Sequence, residues 1–131
     1  MPKIYVLAFA CMAVMGSCLP KDQTGTCNAI EGATRVDIYV SQLKTTPDYV
    51  ITSPERIRQL ITFANERREV FRPSLYTMPV PTVNAVLYEK DEFVGSIGAG
   101  PNFFFRSGTN WKGIRNAKGT EIADFIRLID H

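Results

Sequence analysis

Two apolar stripes at helical spacing limit what this chain can fold into more than any other feature. Ile57, Leu60, Ile61 and Ala64 recur at i, i+3, i+4 and i+7, and Ile122, Phe125, Ile126 and Ile129 repeat the pattern near the end. Each predicts a helix that must cover one face. For the first, Ser53 caps, Pro54 takes the first helical position and Glu55 favours the positive end, giving a helix that runs to about Arg68. For the second, Thr120 caps a helix from Glu121 to about Ile129. One sheet can cover both stripes.

The sheet is legible as period-two alternation. Val36, Ile38 and Val40 alternate with Arg35, Asp37, Tyr39 and Ser41, the period of a half-buried strand. Pro73, Pro79 and Pro81 make a stiff connection between Phe71 and Thr82, since each proline fixes its own φ and disfavours helix before it. Val83, Ala85 and Leu87 then alternate with Asn84, Val86 and Tyr88. A polar turn, Glu89 to Glu92, leads to a strand from Phe93 to Ile97, and a turn cluster from Gly98 to Asn102 leads to another from Phe103 to Arg106. Ser107 to Gly119 reads as loop, with a short strand near Trp111 to Arg115 as an option. The expected fold is α+β in two layers: an antiparallel four-stranded sheet with two helices on one face, in the order strand, helix, three strands, helix. Phe63 stands beside the first stripe and is placed under a loop.

A separate signal stands before the folded part. Met1-Pro2-Lys3, an apolar run from Ile4 to Met15 and then Gly16-Ser17-Cys18 read as an export leader of roughly the h-region length of 7 to 15 residues. A membrane span needs about 20 apolar residues, and Pro20, Lys21 and Asp22 end the run early. Met15 to Cys18 resembles a bacterial lipobox, with methionine where leucine is usual; that resemblance implies a lipidated Cys18 exposed by cleavage. Leu19 after it implies outer-membrane sorting in a bacterium of the enteric kind. The competing reading is an ordinary secretory signal cut nearby. The organisation is then a signal peptide over 1–17, a lipidated Cys18 with a flexible tether over 18–33, and one small domain over 34–131. Removing 17 of 131 residues leaves 114, enough for a single modest core.

Charge and cysteines narrow the partners. Lys and Arg number 15 against 13 Asp and Glu, and losing Lys3 with the leader takes the net charge from +2 to +1. Nucleic acid is therefore not expected as a partner. The outer face of the first helix carries Arg56, Arg58, Gln59, Glu66 and Arg67, but Glu55 and Glu66 interrupt the positive field and make it a solvated surface. Cys11 leaves with the leader. A thioether on Cys18 leaves Cys27 unpaired, whereas a free Cys18 thiol allows an 18–27 disulfide in an oxidising compartment. Cys27 has no neighbouring His to activate it as a nucleophile.

Catalytic patterns are thin. The single histidine is His131, the last residue and expected to fray, and no other His exists to partner a Ser or Cys nucleophile or to bind zinc with it. Asp37, Glu89, Asp91, Glu92 and Asp124 lie on a strand face, a turn and a helix without an apolar setting to separate their pKa values. Gly95-Ser96-Ile97-Gly98-Ala99-Gly100 lacks the Gly-Lys-Ser/Thr of a phosphate loop and is read as a hairpin turn. No cofactor or metal is expected.

One stretch has the composition of a binding surface. Between Gly98 and Arg115, Asn102, Phe104, Arg106, Asn110, Trp111 and Arg115 combine flat apolar area with donors. With Phe103 and Phe105 in the core, Phe104 points to the helix-free side beside Tyr39 or Tyr88 and forms a partner-binding patch. The alternative is that the three Phe residues and Trp111 fill core and loop base.

The run Ile51-Thr52-Ser53-Pro54-Glu55-Arg56-Ile57, Phe63-Ala64-Asn65, Pro79, Pro81, Leu87-Tyr88, Phe93-Val94-Gly95 and Gly100-Pro101-Asn102-Phe103-Phe104, ending in Glu121 to Leu128, resembles a group of small bacterial proteins, some with lipoprotein signals. The Gly-Pro-Asn-Phe-Phe turn is its most distinctive part. The resemblance implies a unit of this size over Val36 to Asp130, with no activity, cofactor or catalytic residue attached. The expected role is a membrane-anchored envelope protein with a non-catalytic binding or accessory domain. Two others stand beside it: an inhibitor or immunity-like protein acting on one exported partner, and a small secreted hydrolase with a carboxylate site.

Overall fold

In the computed structural model of the chain, the described residues are 29–40, 44–68, 72–73, 80–109 and 111–130. The expected leader, Cys18, Cys27, Asn110 and His131 lie outside them. The elements are β1 (Arg35–Tyr39), β2 (Tyr49–Ile51), α1 (Pro54–Asn65), β3 (Arg72–Pro73), β4 (Val83–Glu89), β5 (Glu92–Ala99), β6 (Phe103–Ser107), β7 (Lys112–Asn116) and α2 (Glu121–Ile129). They form an α+β fold on an open antiparallel sheet.

The sheet order is β2-β1-β4-β5-β6-β7-β3, with every neighbouring pair antiparallel. The four strands expected from alternation form its centre, β1-β4-β5-β6. Three more extend it: β7 takes the optional strand, three-residue β2 pairs with β1, and two-residue β3 closes the far edge. Alternation could not reveal β2 or β3, because neither is long enough to show a period.

Both helices lie on one face. Phe104 of β6 meets Phe63 of α1 and Phe125 of α2, each at 5.8 Å between ring centroids, and the latter two are also 5.8 Å apart. Val36, Ile38, Ala85, Leu87, Ile97 and Ala99 complete the buried sheet side of this core. Phe63 therefore belongs to the core and not beneath a loop. It turns inward because α2 lies against that side of α1. The second stripe is rotated likewise: Phe125 and Ile129 are buried, but Ile126 is 41% exposed.

The helices run antiparallel, head to tail. At one end the Arg56 guanidinium donates to Leu128 O (3.2 Å) and to Asp130 O, and the Tyr49 hydroxyl donates to Ile129 O. A cation there satisfies the last carbonyls of α2 and complements its negative end. At the other end Arg67 Nε donates to Glu121 Oε2 at 3.0 Å. Ser53 caps α1 as expected, its Oγ accepting from Arg56 N at 3.4 Å. Thr120 does not cap α2 with its hydroxyl, which donates instead to Asp124 Oδ2. Glu121 turns its carboxylate back to the approach to α2 and accepts from Lys118 N at 2.9 Å.

The folded part also takes in residues that the sequence places in the tether. Ile30 is buried, and its side chain lies 3.4 Å from where a Cβ on Gly95 would stand. Its backbone is held at both groups by Asn65. Ala29-Ile30 in an otherwise largely polar stretch shows no period, so the sequence could not place it.

Candidate functional site

The residues expected to form a binding patch do not share a surface. Antiparallel register places Phe104 and Arg106 on the same side as Ala99 and Ile97, and Arg115 opposite Phe104 on the next strand. That is the side beneath the helices. Phe104 and Arg106 are each 1% exposed and Arg115 is 9% exposed, which corrects the expectation that Phe104 points to the helix-free face. The strand phase is the reverse of the expected one: Phe105 points to the open side. Three successive phenylalanines carry no internal period, so β6 could not set its own phase.

Asn102 is exposed at the β5–β6 hairpin, whereas Trp111 lies near the other end of β6, partly buried against the core. Both hairpins use the same device. Gly100 N donates to Phe103 O and Gly108 N to Trp111 O, each at 2.9 Å, and in each case the aromatic ring lies where a Cβ on the glycine would be. The Gly-Pro-Asn-Phe-Phe segment is thus a turn stapled by Phe103 lying across Gly100.

Beneath the helices, Arg67, Arg106, Arg115 and Glu121 form a polar cluster. Glu121 Oε2 accepts from Arg67 Nε (3.0 Å) and Arg115 Nη2 (3.2 Å), and Arg106 Nη1 donates to Ala64 O at the end of α1 (3.2 Å). Arg67 also lies over the Phe63 ring at 3.8 Å. Burial pushes the Glu121 carboxyl up, but the Lys118 N–H, Arg115 and Arg67 outweigh it and hold the carboxyl below its ordinary value. Arg115 Nε and Nη1 are buried without a hydrogen-bond partner. The cluster fixes where the helices meet the sheet.

The helix-free face presents a different arrangement. Cross-strand register sets Tyr39, Asn84, Gly98, Phe105 and Ile114 in one row across five strands, with Asp37, Val86, Ser96, Ser107 and Lys112 in the next. A cavity of about 450 Å³ lies over this surface, lined by Tyr39, Lys44, Thr45, Pro81, Asn84, Val86 and Phe105. Its size falls within the roughly 300 to 1,000 Å³ usual for ligand sites. Gly98 makes the depth possible. A Cβ there would stand 2.8 Å from Asn84 Oδ1, 2.9 Å from Val83 O and 3.1 Å from Pro81 Cβ, so its absence lets Asn84 and Pro81 sink onto β5.

Among the described residues, the charged member of the cavity lining is Lys44. Lys44 bonds Asp48, whose carboxyl is held down by that contact and by the Val40 N–H. Arg35 Nε lies 3.0 Å from Asp37 Oδ1. Burial pushes the Tyr39 hydroxyl up, with Asp37 and Tyr88 adding to the effect, so it stays a neutral donor well above neutral pH. Sequence reading passed over Asn84, Val86 and Phe105, and it placed Gly98 in a turn. The available signal was a glycine inside a strand pattern, which marks a bulge or a close approach. Among the described residues no three of His, Cys, Asp and Glu gather into a metal-binding group, and no helix is long and apolar enough to cross a membrane.

Fold and site together define a class: a small α+β domain with two helices on one face of an open antiparallel sheet and a mixed apolar and polar cavity on the other. No protein-family model matches the chain, and no curated protein and no solved structure is significantly similar to it.

Proposed function

We propose that this chain is a lipid-anchored, non-catalytic binding module of the bacterial cell envelope. Residues 1–17 direct export, Cys18 carries the lipid, and the domain binds its ligand through the helix-free face. The observation that carries the reading is the cavity of about 450 Å³ bounded by Tyr39, Asn84, Val86 and Phe105. It combines apolar walls with a few convergent polar groups, the usual composition of a small-molecule site. Among the described residues no carboxylate lines it, and the neighbouring carboxylates Asp37 and Asp48 are paired with Arg35 and Lys44, which favours binding over acid–base chemistry.

Two measurements on protein isolated from its own envelope test the proposal. Intact mass should correspond to a chain beginning at an acylated Cys18, and labelled palmitate should appear on it. Native mass spectrometry should retain a small molecule that Phe105→Ala or Tyr39→Ala releases. A processed chain without lipid would refute the anchor. Protein that carries nothing, and that takes up nothing from an envelope small-molecule fraction, would refute the binding role.

A further inference from the structure

The geometry points to an uncharged, flat, apolar-faced ligand whose hydrogen-bond acceptor rests on Asn84 Nδ2, between the rings of Tyr39 and Phe105. This inference rests on the helix-free face being a binding surface and adds the chemistry of what is bound. Asn84 turns Oδ1 down onto the Gly98 position, where it is buried and accepts no hydrogen bond. The end of its amide left to line the cavity is therefore Nδ2, with two N–H groups. Tyr39 and Thr45 add hydroxyls to the same lining. Those hydroxyls can donate or accept, whereas Nδ2 only donates, so the ligand supplies an acceptor at Asn84.

Three further observations define its shape and charge. Val86 beside Asn84 gives an apolar floor, and Tyr39 on β1 stands three strands from Phe105 on β6. At about 4.8 Å per strand that separation is roughly 14 Å, wide enough for a fused bicyclic ring with both aromatic side chains against it. Among the described lining residues the charged one is Lys44, and it is paired with Asp48, so the lining offers a charged ligand little attraction to offset its lost hydration. A neutral heteroaromatic or aromatic carbonyl compound meets all three conditions.

Three bicyclic probes of nearly equal shape separate the possibilities when titrated into the full chain and followed by amide NMR shifts. Quinoline carries only an acceptor, indole only a donor, and naphthalene neither. Quinoline should bind about three- to tenfold more tightly than naphthalene, the worth of one hydrogen bond, with shifts centred on Asn84, Val86 and Phe105. Indole should gain nothing over naphthalene. Asn84→Leu should bring quinoline to the naphthalene level without weakening naphthalene. Asn84→Asp, which replaces the donor by an acceptor, should favour indole and so checks the assignment even if the leucine variant folds poorly. Indole outbinding quinoline on the unaltered chain would overturn the acceptor assignment. Shifts elsewhere, or no binding by any probe, would overturn the ligand class. In that event a different molecule retained on envelope-purified protein would leave the binding role itself standing.

Discussion

Asn65, the last residue of α1, holds both backbone groups of Ile30: its Oδ1 accepts from Ile30 N at 2.8 Å and its Nδ2 donates to Ile30 O at 3.0 Å. The residue that leads into β1 is thereby fastened to the helix that follows it, 35 positions further on. Two hydrogen bonds at about 1 kcal/mol each make Asn65→Ala a loss of about 2 kcal/mol in urea unfolding. Limited proteolysis should then cut near Glu31 and Gly32 before the rest of the domain opens. Protection there equal to that of the unaltered protein would refute the clasp.

Adjacent phenylalanines on β6 should behave in opposite ways. Phe104 is enclosed by Phe63 and Phe125, so Phe104→Ala opens a core cavity and should lower stability by about 3 to 5 kcal/mol. Phe105 lines the open-face cavity and is only half-buried, so Phe105→Ala should cost less than about 2 kcal/mol. The order of the two denaturation midpoints tests the strand phase directly.

Glu121 serves two guanidinium groups, and they are not interchangeable with it. Glu121→Ala leaves Arg67 and Arg115 without their shared carboxylate and should cost about 3 kcal/mol. Arg115→Met removes a group with two unsatisfied nitrogens and leaves Glu121 its contacts to Arg67 and the Lys118 N–H, so it should cost less. The Glu121 carboxyl is depressed on folding, so its contribution is complete above the ordinary value of 4.5 and is lost as pH falls through its folded pKa. Stability of the native chain should consequently fall more steeply below pH 4.5 than that of Glu121→Gln, as measured by urea midpoints across that range.

Gly98→Ala should destabilise the domain by about 1 to 3 kcal/mol, because the new methyl would meet Val83 O and the Asn84 amide. It should also lift Asn84 and Pro81 into the cavity and weaken any bound ligand. A variant of unchanged stability and unchanged binding would show that the glycine does not set the depth of the site.

Local sequence determined the elements whose evidence is complete within a few residues. Ser53-Pro54-Glu55 marks the start of α1, two apolar stripes require a covering sheet, and the alternation of Val36 and Ile38 or of Val83, Ala85 and Leu87 fixes which side of β1 and β4 is buried. Those signals need no partner to be read. Tertiary structure decided what depends on a neighbour: the phase of Phe103-Phe104-Phe105 follows from pairing with Ile97 and Ala99, β2 and β3 exist only as additions to β1 and β7, and Ile30 is ordered by Asn65. The cavity belongs to the same class. Tyr39, Asn84 and Phe105 lie far apart in the chain, and only the register across β1, β4, β5 and β6 sets them in one row around a glycine that leaves them room.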